Sequence, residues 1–453
     1  MRISALTIGI VVTAVGVGPS IAAGKNLRDA VATAIANNPR IEEATANRRA
    51  VDEELNQARG LFLPRLDLEA TAGYYYNHQP EDGTIHDNRW GDMATLTGRY
   101  TLFDGGFRGA EVDKQVARVG GAAERVRERS QLIAIETIRA YLDIVRFTEI
   151  KRLAAANITE HRRYLDLART RFRGGSSTQG EVDLAKERLF AAESTLEDVK
   201  RTLGLAKARY LNLVGRSPGY LAPVTLPPVP KDRRAVRNRA RATNPTLLAA
   251  ARDVEAAKAE LAQAGAAFRP KVDLEARGSV GHDQGGTPGP DHDASARFVL
   301  NWNLYDGRIK DARLRERAER VAEVMARQDR LRRAVDEAVD RAWIDMLGAD
   351  SRLRVIDRQV AAGTSLVASY RQEFDTGLRS LLDLMQAVGT RFNSGVQQRT
   401  TRALTILARY ELLASMGGLL RHFRLGAGPD AEPEVRPWNR TSVRQGWHTT
   451  VHK

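Results

Sequence analysis

The sequence contains no cysteine, which excludes disulfide-stapled folds, cysteine-ligated zinc sites, thiol catalysis and cysteine-anchored lipoproteins. Aromatic residues are also scarce, at 6% of 453 residues, whereas alanine, leucine, arginine and glutamate are abundant. This composition is typical of long helices rather than of a bulky globular core. The net charge of +14 comes from arginines spread along the chain, which argues against a localised nucleic-acid-binding face.

Long apolar runs are missing except at the N-terminus. There, an apolar stretch follows Arg2 and leads to Ala22 and Ala23, which is the pattern of a secretory signal peptide at 1–23. Lys25 ends the run before the ~20 residues that a membrane-spanning helix needs. The sequence therefore predicts export to the periplasm, the outer membrane or the medium.

Proline is absent from two stretches of nearly equal length, 81–217 and 291–428, which indicates a duplication. Four short motifs recur in the second half of the chain: Asn38-Pro39 as Asn244-Pro245, Pro64–Ala70 as Pro270–Ala276, Leu102–Gly105 as Leu304–Gly307, and Arg139–Asp143 as Arg341–Asp345. We therefore predict structural repeats at 24–215 and 232–425, a proline-rich linker at 216–231 and a disordered periplasmic tail at 426–453.

Each repeat changes its hydrophobic period twice. A helical period at 26–61 and 232–267 gives way to a period of two, which predicts one β-hairpin per repeat at about 65–102 and 271–304. The helical period then returns, and the helices predicted after the hairpins are 106–172, 178–213, 308–374 and 381–424. At ~1.5 Å per residue, the longer helices reach about 100 Å.

The predicted strands are apolar on one face and charged on the other, which suits a water-filled membrane barrel with strands of ~9–11 residues. Tyr100 and Trp302 stand where the apolar stripe ends, so we expect them at a lipid interface. A soluble sandwich is the alternative, but no further strands are predicted that would cover the sheet. Since four strands cannot close a barrel, a trimer with twelve strands is the smallest attractive assembly.

The duplicated plan resembles the TolC-like outer-membrane channel family over about 25–425. The motifs that carry the resemblance are Asn-Pro at 38–39 and 244–245, Leu-Phe-Asp-Gly-Gly at 102–106, the helix-turn segment Phe374–Leu384, and Arg409–Leu413. Within the family, Ser369–Phe374 running into a turn at Gly377 looks most like the type I secretion members.

This resemblance implies an α+β membrane protein in the outer membrane of a Gram-negative bacterium. Three chains would form a 12-stranded β-barrel continuous with a periplasmic α-helical barrel. It also implies a passive duct for type I protein secretion or multidrug efflux. Its partners would be a periplasmic adaptor (membrane fusion protein) and an inner-membrane ABC transporter or proton-driven exporter.

The resemblance further implies a gate at the periplasmic tip, beside turns at Gly175 and Gly377 where the adaptor would dock. In the family, acidic residues six positions after each turn glycine form a ring, and here these positions hold Glu181 and Asp383. Arg379 matches a basic gate residue and is expected to pair with Glu181 or Asp383. The alternative interpretation is that both carboxylates are only helix N-terminal charges, which the helix dipole favours.

Two positions depart from the family pattern. Gln386 stands where some members have a second ring aspartate, and Phe374 stands where some have a tyrosine whose hydroxyl helps to lock the gate. Both departures indicate a looser or less cation-selective entrance.

A different class of protein is also compatible with the helices. The steps of three and four between Ile135, Ile138, Leu142 and Val145 fit a coiled-coil seam, so a secreted or periplasmic coiled-coil structural or adaptor protein is the alternative. An adaptor would carry a lipoyl-like or barrel module between its helices, and none is visible. Common hydrolase and nucleotide-binding motifs are missing, so we expect no enzyme, cofactor or metal site.

Overall fold

A computed structural model describes residues 26–78, 86–283 and 289–437. The predicted signal peptide and the tail from 438 onward lie outside these ranges. The elements in chain order are α1 (Leu27–Asn37), α2 (Pro39–Gly60), β1 (Arg65–His78), β2 (His86–Phe103), α3 (Phe107–Arg173), α4 (Gln179–Val214), α5 (Arg233–Thr243), α6 (Pro245–Ala266), β3 (Lys271–His282), β4 (Pro290–Asn301), α7 (Ile309–Asp375), α8 (Leu381–Ser415), α9 (Leu419–His422) and a 3₁₀ turn (Pro429–Ala431).

The duplication is visible in these elements. Each half runs through two short helices, a hairpin, a helix of 67 residues and a helix of 36 or 35 residues. The single helix predicted before each hairpin is in fact two helices, because Pro39 and Pro245 begin new ones. Asn38 and Asn244 cap them, each accepting a bond from the backbone N–H two residues on, at 3.1 and 3.0 Å.

The two hairpins form one antiparallel sheet in the order β1-β2-β3-β4, with β2 and β3 pairing across the repeats. Residues directly opposite each other share a face. On one face Leu68 lies opposite Leu96, and Leu274 lies opposite Phe298. The other face is charged, and there Glu275 pairs with the arginines of two neighbouring strands at 2.7 and 3.0 Å. The predicted two-faced pattern is therefore confirmed.

The apolar face of the sheet is exposed in the protomer. Its exposed side chains include Leu66, Leu68, Tyr74, Trp90, Leu96, Phe298 and Leu300. A contiguous apolar surface of this kind marks an interaction surface, either with lipid or with protein. Within the described ranges, no helix is both long and apolar enough to cross a membrane.

The helices pack around α3, which contacts α2, α4, α6 and α8 and buries residues along its whole length. The main apolar core lies where α1, α5 and α9 meet the middle of α3 and the C-terminal parts of α4 and α8. By contrast, α7 has the same length but buries few side chains: Val335, Val339, Ala342, Met346, Ile356, Val367 and Phe374. Most of the α7 surface is therefore free to contact another chain.

The segment 426–437, which the sequence assigned to a disordered tail, is packed against α2 instead. Asp430 is buried, Arg436 pairs with Asp430 and lies 3.7 Å from Asp52, and Arg48 donates to a backbone carbonyl of the segment at 3.3 Å. The prediction of disorder does not hold for these residues. Ion pairs and the packing of Ala431 and Val435 hold the segment in place, and the hydrophobic period of so short a segment does not reveal these contacts.

Candidate channel gate and membrane-facing sheet

The tight turns predicted at Gly175 and Gly377 join α3 to α4 and α7 to α8. Both glycines have positive φ, +73° and +82°. The N–H of the residue after each glycine donates to the carbonyl five residues earlier, at 2.9 and 2.8 Å. This bonding is the Schellman pattern, which ends a helix with a left-handed residue and so favours glycine. The two turns are therefore equivalent tips of two helical hairpins.

Glu181 and Asp383 occupy equivalent positions in the first turns of α4 and α8. Thr178 and Ser380 cap these helices, and Ser380 Oγ accepts from the Asp383 N–H at 3.1 Å. Each carboxylate also accepts a hydroxyl: Ser380 donates to Asp383 at 2.8 Å, and Ser177 donates to Glu181. Within one protomer, both carboxylates thus lie in the first turn of a helix, where the helix dipole favours negative charge.

The Arg379 side chain folds back onto α7. Its guanidinium lies 2.8 Å from the Glu373 carboxylate and 4.2 Å from the centre of the Tyr370 ring. The hydrogen bond to Glu373 raises the pKa of Arg379 above its ordinary value. The expected pairing of Arg379 with Glu181 or Asp383 is therefore not formed within the protomer, because the tight turn brings Arg379 back beside the last turn of α7.

Phe374 is buried, with only 2% of its surface exposed. The Arg171 guanidinium covers its ring at 4.2 Å and donates to its backbone carbonyl at 3.3 Å. Gln386, in contrast, is exposed on α8. The cluster around Phe374 contains Ile158, Tyr164, Leu165, Ala168, Ala185, Leu189, Ala192, Val367, Leu381, Leu384, Met385, Ala387 and Val388. Phe374 thus contributes packing between the hairpins near their tips.

Sequence reasoning missed a charged cluster above the tips. Glu160 on α3 accepts from Arg371 on α7 at 2.8 Å and also pairs with Arg391 on α8. The Tyr164 hydroxyl donates to Glu160 at 3.3 Å. These partners come from three helices far apart in the chain, and in the sequence each is only one more charged or polar residue on a long helix.

Aromatic side chains lie at both ends of the exposed apolar face. At the helix end, Tyr100 and Trp302 are exposed, and Trp302 Nε1 donates to the Phe268 carbonyl at 3.2 Å. At the far end, Tyr74 and Trp90 meet edge to face with ring centres 6.3 Å apart, a pair that sequence reasoning missed. Ten residues of β2 separate Trp90 from Tyr100, which is about 33 Å along the strand or roughly 25 Å across a bilayer at a tilt of ~40°. That matches the height of the apolar band of an outer-membrane barrel.

The chain matches the family model described as outer membrane efflux protein over residues 30–216 and 236–418, so both repeats are covered. It is 24% identical to the outer membrane efflux protein BepC of Brucella suis, over 87% of this chain and 86% of that protein. It is also 24% identical to the alkaline protease secretion protein AprF of Pseudomonas aeruginosa, over 80% and 78% of the two chains.

Among solved structures, the fold is similar to that of the outer membrane protein VceC from Vibrio cholerae. The TM-score is 0.71 at 19% identity, and the match covers 89% of this chain and 97% of that one. The coiled-coil structural or adaptor alternative is set aside by these matches. The chain belongs to the outer membrane efflux protein family and is an outer-membrane export channel.

Proposed function

We propose that the protein is a homotrimeric passive exit duct, in which each chain contributes four strands to one twelve-stranded barrel. The observation that carries this proposal is the two-faced sheet, whose exposed apolar side is bounded by aromatic residues at both ends. Strands β1 and β4 form the edges of the sheet within the protomer. Since open sheet edges are not tolerated in lipid, β4 of one chain pairs with β1 of the next.

The charged face of the sheet then lines the lumen. A barrel of more than about eight strands leaves an aqueous interior, and twelve strands exceed that limit. The long helices continue the duct into the periplasm, and the exposed surface of α7 packs against neighbouring chains. The chain has no catalytic role in this scheme.

The gate lies at the helical tips in this proposal. Threefold symmetry brings three copies of Asp383 and of Glu181 close together, which creates a negative ring that attracts cations. The proposal is supported by the ion pair of Arg379, which among the described residues is made with Glu373 and not with either ring carboxylate. Phe374 and Gln386 make this gate looser than one with a tyrosine and a second aspartate.

The turns at Gly175 and Gly377 are the docking points for a periplasmic adaptor. This adaptor connects the duct to an inner-membrane ABC transporter or proton-driven exporter. The positive φ of both glycines supports this role, because it makes two equivalent, sharply turned tips available on each chain. Type I protein secretion and multidrug efflux are the two transport classes that such a duct serves.

The assembly is tested by extracting the outer membrane with mild detergent and measuring the mass of the protein by light scattering. We expect a trimer of chains of about 48 kDa each, which is the 50.0-kDa chain without its signal peptide. A monomer or dimer released by salt alone would contradict the shared barrel.

The gate is tested by conductance in planar bilayers. Asp383→Ala should raise the leak conductance and weaken the preference for cations, because the ring loses three charges. Asp183→Ala is the control, since Asp183 is an exposed aspartate of α4 that lies outside the two ring positions. Equal conductance and selectivity in the two variants would refute the gate assignment and leave the duct intact.

A further inference from the structure

A cleft with a volume of about 660 Å³ lies beside the short helix α9. Its walls come from α3, from the junction of α5 with α6, from α9 and from the segment 424–432 that follows α9. Helix α3 passes the cleft at Arg127, whereas it begins at Phe107 and ends at Arg173. At ~1.5 Å per residue, the cleft is roughly 70 Å from the tip end of α3 and about 30 Å from its sheet end. It is therefore a separate place from the proposed gate.

Three arginines line this cleft, and two of them have no counter-ion. Within the described ranges, the side chains of Arg421 and Arg424 form neither an ion pair nor a hydrogen bond, and both are exposed. The third, Arg127, pairs at 3.0 Å with Glu124, which is buried. The cleft thus offers two free guanidinium groups, which bind carboxylates through two parallel N–H bonds.

Arg424 has a backbone conformation that arginine rarely adopts. Its φ is +54°, and the N–H of Leu425 donates to the Leu420 carbonyl at 2.9 Å. This is the Schellman pattern of the two tip turns, and Gly417 ends α8 in the same way. Glycine takes this position without strain, because it has no Cβ. Since strained backbone positions cluster at functional sites, an arginine at this one favours a role for its side chain in the cleft.

The cleft also presents groups that accept hydrogen bonds. The Oε1 atom of Gln131 is buried and has no donor among the residues that the structure describes. Glu432 is exposed and forms no ion pair with any described residue, although it lines the same cleft as the three arginines. A ligand that suits the site must therefore carry anionic groups for the arginines and donors for Gln131 and Glu432.

An acidic peptide meets both requirements. Its carboxylates would pair with Arg421 and Arg424, and its backbone N–H groups would donate to Gln131 and Glu432. A phosphate group offers mainly acceptors, and the Glu432 carboxylate would repel it. Lipid headgroups are also out of reach, because the sheet end of α3 is about 30 Å away. A volume of about 660 Å³ is that of a small-ligand site and suits a segment of a few residues.

We propose that this cleft binds an acidic peptide segment of another periplasmic protein, and that Arg421 and Arg424 hold the carboxylates of that segment. Gln131 and Glu432 hold its backbone. The site occurs once in each protomer and is additional to the proposed duct, since it lies far from the tips and from the charged face of the sheet.

The test measures the binding of a fluorescein-labelled peptide of six glutamates to the purified full-length protein in detergent, by fluorescence anisotropy. We expect binding that weakens as salt is added, and no binding of the corresponding peptide of six glutamines. Arg421→Gln and Arg424→Gly should each weaken binding about tenfold, because each removes a charge-assisted bond. Arg402→Gln is the control and should bind as the wild type does, since Arg402 is an exposed arginine of α8 that does not line the cleft.

Arg424→Gly also separates ligand binding from a structural role. Glycine fits the left-handed conformation better than arginine does, so this variant should unfold at the same temperature as the wild type or at a higher one. A lower denaturation midpoint would show that the Arg424 side chain supports the fold, and it would overturn the assignment of that side chain to a ligand.

The other outcomes also decide the proposal. Failure of the wild type to bind the glutamate peptide would overturn it, as would equal affinities in the wild type, Arg421→Gln and Arg424→Gly. Displacement of the peptide by an equimolar amount of inorganic phosphate would overturn it as well, because the cleft would then be a general anion patch. None of these measurements depends on conductance, so a protein that binds the peptide but forms no channel would refute the proposed duct and leave this site intact.

Discussion

Asn38 and Asn244 make the same two bonds in the two repeats. Each side-chain oxygen caps the helix that follows, and each side-chain amide donates at 3.0 Å to a carbonyl near the C-terminal end of a long helix, Leu213 for Asn38 and Ser415 for Asn244. Each asparagine thus caps the start of one helix and hydrogen-bonds to the C-terminal end of another. The recurrence of this bond shows that the duplication includes tertiary contacts as well as the order of elements.

The two asparagines should therefore matter for stability. Asn38→Ala and Asn244→Ala each lose a cap and a buried long-range bond, so each should cost about 2 kcal/mol. Asn212→Ala is the control, because Asn212 is exposed on α4. Thermal denaturation in detergent, followed by circular dichroism, should show a lower midpoint for the first two variants only.

Gly417 is expected to resist substitution for steric reasons. Its φ is +69°, and a Cβ there would overlap the backbone carbonyl of Thr243. Gly215 has a similar φ of +74° but has no atom within 4 Å of the corresponding position. Gly215→Ala should cost only the strain of the left-handed conformation, about 1 kcal/mol, whereas Gly417→Ala should cost clearly more. Equal denaturation midpoints for the two variants would contradict this difference.

The pairing of α5 with α7 should make stability depend on pH. Hydrogen bonds from Arg233 and Arg237 hold the pKa of Asp340 well below its ordinary value of about 3.9. Because the folded pKa is lowered, the stabilisation is complete above the unfolded pKa and is lost as the pH falls below about 4 towards the folded pKa. Asp340→Asn should lower the denaturation midpoint at pH 7 and flatten its fall below pH 4. Asp345→Asn, which removes an exposed aspartate of the same helix, should leave the wild-type profile unchanged.

The two faces of β2 should respond oppositely to a new charge. Leu96 lies on the exposed apolar face opposite Leu68, and Thr97 lies on the charged face opposite Asp67. A lysine on a lipid-facing position near the middle of a bilayer costs about 2–4 kcal/mol, whereas a lumen position tolerates it. Leu96→Lys should therefore reduce the yield of folded trimer on native gels of outer membranes, and Thr97→Lys should not. The reverse order would indicate that the apolar face does not contact lipid.

The local sequence pattern predicted most of the secondary structure correctly. The predicted helix 106–172 is observed as Phe107–Arg173, and the predicted strands begin at Arg65 and Lys271, directly after prolines. These boundaries are readable because the hydrophobic period, prolines and glycine turns act within a few residues. The break at Asn38 was missed because the apolar period continues through Pro39, which begins a new helix.

The ion-pair partners of the charged residues could not be predicted from the local sequence. Arg379 has carboxylates at several nearby positions, and only the conformation of the Gly377 turn selects Glu373. The Glu160 cluster joins α3 to Arg371 and Arg391, which lie more than 200 positions later in the chain, so no local pattern contains it. The same holds for the ion pairs that pack residues 426–437 onto α2.

By itself, the sequence predicted an export signal and determined the duplication, the alternation of helices with one hairpin per repeat and the two-faced strands. All of these follow from composition and period along the chain. Only the tertiary structure decided that β2 pairs with β3, that α3 rather than α7 is the buried helix, and which arginine meets which carboxylate. Those choices depend on how elements distant in the chain pack against each other. From the sequence alone, one arginine or carboxylate cannot be distinguished from another as a partner, because only packing brings a particular pair together.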